Sequence, residues 1–300
     1  MAIELHARPL YFSDRSNLVP YVSDRSLSLL APIVAYWIYS LFFMLLDHSG
    51  WAWINRYRIH EPEETKQRNK ATVLQVVKAV ALQQIIQTAL GWWWLDPTDK
   101  DNVDHVQAML GLYRSISSLF HYILSPAYYQ SFMISNGFSV VSTLYWWLFP
   151  AAQFALALFV MDTWQYFLHR LFHTNQFLYR NFHCVHHRLY VPYAFGALYN
   201  HWFEGLLLDT LGAVIAHTLA GMTVRQGIFL FTFSTLKTVD DHCGYAFPFD
   251  PFQVLFPNNS TYHDIHHRVW GIKYNFSQPF FVHWDAILGT RYVLPRHKDE

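Results

Sequence analysis

The chain is organised as long apolar runs separated by short polar stretches, not as the alternating in–out pattern of a water-soluble fold. Residues 27–46 carry no formal charge, contain one proline and have aromatics toward both ends. At ~1.5 Å rise per residue, a run of this length crosses a ~30 Å hydrocarbon core. It begins too far into the chain for a signal peptide and lacks a cleavage-like small-residue site. Residues 138–161 form a second clear span. Residues 72–95 are more mixed. Lys78, Gln83, Gln84 and Gln87 interrupt the run and would have to face other helices, while Trp92, Trp93 and Trp94 suit an interfacial aromatic belt. A soluble or interfacial helix is the competing reading there. Residues 203–222 and 224–236 read as a helical hairpin turning near Gly221, its second arm short unless it continues to Asp240. Residues 104–125 predict an amphipathic helix at the interface. The expected fold class is therefore an all-α integral membrane protein with about four to five transmembrane helices.

Composition agrees. Hydrophobic residues make up 53% of the 300 and charged residues 14%, against roughly 25% charged in soluble chains. The 25 Phe, 19 Tyr and 12 Trp exclude disorder. Lys plus Arg (21) balances Asp plus Glu (21), so no charge field points to nucleic acid or an acidic partner. With only Cys184 and Cys243, a disulfide framework and a Cys-rich zinc module are both excluded. The basic loop from Arg56 through Lys70 is placed in the cytosol and the acidic stretch 96–104 on the opposite side. Threading the spans from there puts the N-terminus outside, and residues 162–202 and 237–300 on the cytosolic face.

The strongest chemical signal is histidine. Thirteen of 18 lie after residue 168, and their spacing is not random. His169 and His173 are four apart; His183, His186 and His187 form H-x-x-H-H, and so do His263, His266 and His267. Offsets of three and four share a helix face, so each cluster is expected to aim its imidazoles at a common point. Eight convergent imidazoles exceed what one metal takes, since zinc usually binds four ligands. Two metals in a cytosolic, histidine-rich helical cap is the economical reading, and neutral imidazole suits iron, zinc, copper or nickel.

This pattern resembles the fatty acid hydroxylase and sterol desaturase superfamily of membrane di-iron enzymes. The likeness extends to Arg56-Tyr57-Arg58-Ile59, Pro62-Glu63-Glu64 and Arg68-Asn69-Lys70 in the basic loop, and to Trp284-Asp285 with Gly289-Thr290 near the end. Asn258-Asn259, the stretch Tyr262 to His267 and the stretch Gly271 to Phe281 are similar to the sphingolipid 4-hydroxylase branch. The resemblance implies a monooxygenase of the endoplasmic reticulum that binds two iron ions. It would hydroxylate carbon 4 of a sphinganine-type base, free or in a ceramide, with dioxygen. Electrons would come from NAD(P)H through a reductase and cytochrome b5. The chain itself has no G-x-G-x-x-G after a strand and no haem-attachment motif, so its reductant must be borrowed. On this reading residues 1–26 are an N-terminal tail, 27–136 the first membrane helices, basic loop and interfacial helix, and 137–300 the catalytic part of a single membrane domain. The rivals are a sterol desaturase or sterol methyl oxidase with the same centre, and a non-catalytic membrane scaffold that has kept its metal cluster.

Other residues are weighed singly. His242, before Gly244-Tyr245, matches a superfamily element and is expected as a ninth ligand. His201 sits where relatives carry a further His, although Trp202 replaces their Pro; it is a candidate tenth. His217 reads as a helix-packing residue. Asp162, seven residues before His169, is placed to orient an imidazole from behind, as are Asp264 and Glu204, with a plain helix-end charge as the alternative for Asp162. Cys184 and Cys243 read as structural thiols. The run 189–195 could line an apolar slot for an acyl chain or simply pack. The sequons at Asn258 and Asn259 fall on the cytosolic side, where glycosylation is forbidden.

Overall fold

The computed structural model describes residue 12 and residues 15–95 and 104–293. Residues 1–11, 13 and 14 of the N-terminal tail, the acidic stretch 96–103 and residues 294–300 lie outside the described residues, which are helical and contain no β-sheet. Helix α1 (Asp24–Ser49) starts where the Ser23 hydroxyl accepts the Ser26 amide. It ends at Gly50, whose positive φ of 67° suits a residue without Cβ. Helix α2 (Val73–Trp94) opens on a Thr72/Gln75 capping box. Helix α3 (His105–Ile123) packs on the first part of α4. Helix α4 runs unbroken over Pro126–Thr174, 49 residues with a π-turn at Leu144–Leu148. The expected span 138–161 is thus the middle of a much longer helix that carries His169 and His173 on the same rod. The boundary expected at 136/137 falls inside it.

The hairpin is found where expected. Helix α5 is Trp202–Gly205, a π-turn Leu206–Leu211 and Gly212–Leu219; α6 is Val224–Asp241. The turn between them uses Gly221 at φ 60°. Among the described residues, three helices are long and apolar enough to cross a bilayer: α1, α2 and α4. The hairpin arms are shorter and carry Glu204, Lys237, Asp240 and Asp241 buried in the bundle, with Asp209 partly buried. Helix α1 lies along α6 over Tyr36, Phe43 and Val239, while α5 packs on α4 through Leu158, Met161 and Ala216. Ile38, Leu45, Ile85, Trp93, Ile134 and Phe149 face outward, an apolar surface suited to lipid.

The polar residues of α2 turn inward, as the sequence requires of them. Gln84 accepts the Trp37 indole N–H at 3.0 Å, and Gln83 donates to Asp209 at 3.0 Å. At the far end of the bundle the basic loop clamps the histidine segments. Asn69 exchanges two hydrogen bonds with the Val191 backbone (2.8 and 2.9 Å), and the Lys70 amide donates to the Arg188 carbonyl at 2.8 Å. The third box sits on a short helix, α7 (Ser260–His267), followed by a tight turn in which Gly271 lies against the Ile265 carbonyl.

A Cβ at Gly271 would overlap that carbonyl, and backbone cannot swing away as a side chain can. Gly271→Ala should therefore destabilise by on the order of 3 kcal/mol. Gly111→Ala, where a Cβ meets open space, should be neutral. The yield of monodisperse protein in detergent and its melting temperature check both.

Candidate metal centre

The three boxes and His242 converge, but not box by box. His169, His173, His183, His187 and His266 form one group; His186, His242, His263 and His267 form the other. In each group the ligand atoms lie within 4.8 Å of one another. The expected single focus holds for His169 and His173 but fails for both H-x-x-H-H boxes, for a geometric reason. Consecutive helical residues diverge by about 100° or more, so His186 and His187 fall in different groups, as do His266 and His267. One of each pair must serve the other group. The i,i+4 pair His263/His267 on α7 shares a group, as spacing predicts; His183 and His187 also share one, although their segment is a 3₁₀ turn.

The hydrogen bonds fix which ring nitrogen points inward. Nδ1 of His169, His266 and His267 faces the carbonyls of Phe276 (2.8 Å), Tyr274 (2.7 Å) and Leu189 (2.8 Å). Nδ1 of His186 and His242 faces those of Tyr199 (3.1 Å) and Thr238 (2.8 Å), and Nδ1 of His183 faces the Glu204 carboxylate. A carbonyl only accepts, so Nδ1 carries the proton and Nε2 offers its lone pair. Those Nε2 atoms then crowd together. His173 lies 2.7 Å from His183, 3.2 Å from His169 and 3.2 Å from His187; His263 lies 3.0 Å from both His242 and His267. Metal–imidazole bonds of about 2.0–2.1 Å meeting near a right angle place neighbouring nitrogens about 3 Å apart. The donor set fits two soft-to-borderline cations ligated by nitrogen alone.

Burial keeps these imidazoles neutral. It pushes His183, His242 and His266 down to about 3 and His186 to about 4, with His187, His263 and His267 also well below the ordinary value. A metal arriving at neutral pH displaces no proton from them.

The remaining expected residues are placed as follows. His201 stands outside both groups, its Nδ1 accepting the Phe203 amide at 3.3 Å as a helix cap. Asp162 touches no imidazole; its carboxylate accepts the amides of Phe280 (3.1 Å) and Phe281 (2.6 Å), fixing the loop beside α4. Asp264 accepts from His60 (2.6 Å) and Arg268 (2.7 Å), so it ties the basic loop to the third box. Burial works against charge on His60, but Asp264 and Glu64 outweigh it and raise its pKa. Glu204 is the carboxylate that does hold a ligand, His183. His217 contacts the Thr223 carbonyl at the hairpin turn. Neither cysteine joins a group, and Asn258, fully buried, donates to the Ser277 carbonyl. Sequence reasoning missed two supports. One is His60. The other is Asp285, whose carboxylate accepts from Phe276 N (3.0 Å), Ser277 N (2.7 Å), Tyr262 (2.8 Å) and Thr290 (2.6 Å) and so locks the segment that holds His169. The Trp284-Asp285…Gly289-Thr290 signature was the available signal for the second.

Two cavities adjoin the centre. A mostly apolar one of about 170 Å³ lies between α1, α2, α4, α5 and α6, lined by Leu29, Ile33, Met161, Val214 and Phe231 among others. A smaller one of about 40 Å³ touches His169, His183, His186, His242 and His263. Gln165, Asp209, Thr238 and Pro279 line both. The 189–195 run borders neither wall extensively; Val191 to Phe195 line a third cavity of about 620 Å³ under the basic loop.

A helical membrane bundle closing over nine inward-facing histidines defines a class: membrane proteins with two adjacent all-histidine sites that can hold metal ions. Residues 154–290 match the fatty acid hydroxylase family model. The chain is 49% identical over 280 residues to the sphingolipid C4-hydroxylase of Saccharomyces cerevisiae, covering 93% of this chain and 75% of that protein. It is 44% identical over 272 residues to that of Schizosaccharomyces pombe (90% and 89%), and 43% identical over 281 residues to sphinganine C4-monooxygenase 1 of Arabidopsis thaliana (93% and 92%). No solved structure gives a significant match. The chain belongs to the fatty acid hydroxylase family.

Two outcomes follow from this geometry. Glu204→Leu leaves the His183 ring without its acceptor and should weaken metal retention about 10–100-fold, read as metal per chain after dialysis against a graded chelator. The second concerns the metal-free protein. A histidine whose folded pKa lies below its unfolded value of about 6.5 contributes stability that is complete above that value and is lost as pH falls through it toward the folded pKa. Each linked histidine gives a slope of up to about 1.4 kcal/mol per pH unit. The melting temperature of metal-free protein should therefore drop steeply between pH 7 and pH 5; a flat profile across that window contradicts the burial argument.

Proposed function

We propose that the chain is a membrane di-iron monooxygenase that hydroxylates carbon 4 of a sphingoid base, sphinganine or its ceramide. His169, His173, His183, His187 and His266 hold one iron; His186, His242, His263 and His267 hold the other. The carrying observation is the convergence of neutral imidazole Nε2 atoms at about 3 Å, next to a small cavity that shares a wall with the apolar one. Bound iron supplies the oxidant that no side chain can: one oxygen atom of dioxygen enters an unactivated C–H bond and the other leaves as water, with two electrons and two protons. The substrate class rests on the named relatives and on the stretch Asn258 to Phe281.

The chain's own residues do the rest. Carbonyls and Glu204 orient the imidazoles, Asp285 and the basic loop hold the segments that carry them, and the cavity walls exclude water around the alkyl chain. Electrons come from NAD(P)H through a reductase and cytochrome b5 acting from outside the chain. The protein resides in the endoplasmic reticulum membrane, with the histidine centre and the C-terminus cytosolic.

Metal analysis of an active preparation should give two ions per chain; at most one would refute the dinuclear centre. Zinc after overexpression would not, because the affinity order lets zinc displace ferrous iron. In cells lacking other 4-hydroxylases, His266→Ala should abolish 4-hydroxylated base while the protein still inserts in the membrane. Near-normal product would sink the assignment, and accumulation of methylated or saturated sterol intermediates with normal 4-hydroxylation would favour the sterol reading instead.

A further inference from the structure

Asp209 is a carboxylate without a cation. It sits in α5, deep in the bundle, and among the described residues its partners are three neutral carboxamides: Gln83 at 3.0 Å, Gln165 at 3.3 Å and Asn200 at 3.4 Å. No ion pair reaches it there. Amide donors satisfy lone pairs but leave the charge uncompensated, a costly arrangement away from water. Its remaining surface faces the two cavities, and it stands at the neck where the apolar cavity meets the histidine-lined one.

We propose that Asp209, held by Gln83, Gln165 and Asn200, is the anchor for the ammonium group of the substrate and sets which carbon meets the metal centre. This rests on the C4-hydroxylase reading. A sphingoid base is cationic at carbon 2, bears hydroxyls on carbons 1 and 3, and is a plain alkyl chain beyond carbon 4. A reaction at carbon 4 needs a short polar pocket on one side of the reacting carbon and a long apolar one on the other, with both meeting at the oxidant. The two cavities have that order: Leu29, Ile33 and Phe231 line the apolar one, and His169, His183 and His242 the other. Fixing the amine at the neck leaves carbon 4 three bonds from the nitrogen, at the mouth of the histidine-lined cavity. A carboxylate recognises the protonated amine of a free base and loses that interaction when the nitrogen is acylated.

The test measures binding of sphinganine and of N-acetylsphinganine to the wild-type chain and to Asp209→Asn, each in phospholipid nanodiscs. Wild type should bind the free base more tightly. Asp209→Asn should weaken sphinganine about tenfold or more, the usual worth of a charged hydrogen bond, and leave N-acetylsphinganine within about twofold. Both ligands are measured on the same sample, so the ratio is independent of the fraction folded. Equal losses for both ligands, or none for either, overturn the anchor and make Asp209 a strut between α2 and α5. If that happens while wild type still 4-hydroxylates sphinganine, only the anchor falls. If wild type neither binds nor hydroxylates sphinganine, the reading beneath it falls as well.

Discussion

Everything in this fold serves one unfavourable contact. Neutral imidazoles with their protons on Nδ1 present lone pairs on Nε2, and two such lone pairs brought together repel each other unless a cation or a proton lies between them; here Nε2 atoms stand about 3 Å apart. Nine of them in two groups cannot be held by hydrophobic burial alone. The chain holds six of them with an acceptor behind the ring: five backbone carbonyls and one carboxylate. Burial then keeps the rings uncharged, which would otherwise multiply the repulsion.

The acceptors come from segments far apart in sequence, and this explains the elements around the centre. The Leu189 carbonyl that receives His267 lies just before Val191, which Asn69 pins from the basic loop. The Phe276 carbonyl that receives His169 is set by Asp285. Because His187 and His266 belong to one group and His186 and His267 to the other, each H-x-x-H-H segment spans both. Neither half can shift without disturbing the other, so the pair behaves as one unit.

The bilayer imposes the second constraint. A lipid substrate moves least if the oxidant sits at the end of a cavity already enclosed by apolar helices. Here the enclosing walls come from α1, α2, α4, α5 and α6, and the polar groups in them turn inward toward one another. The hairpin α5–α6 tolerates Asp209, Lys237 and Asp241 because they face protein; Lys237 pairs with Asp241 inside the bundle.

The sequence by itself determined the helical class, the hairpin at Gly221, the inward face of Gln83 and Gln84 and the eight box histidines, because bilayer thickness and local spacing act over a few turns of chain. It also marked His242 and the basic loop, through family likeness. Only the tertiary structure decided how the histidines divide between two groups, since adjacent rings diverge and their partners arrive from other segments. It separated Glu204, which touches His183, from Asp162, which touches only backbone, although both are carboxylic acids near a box. And it brought His60 to Asp264, 204 residues away, a pairing that depends on where two loops cross and leaves no periodic trace in either.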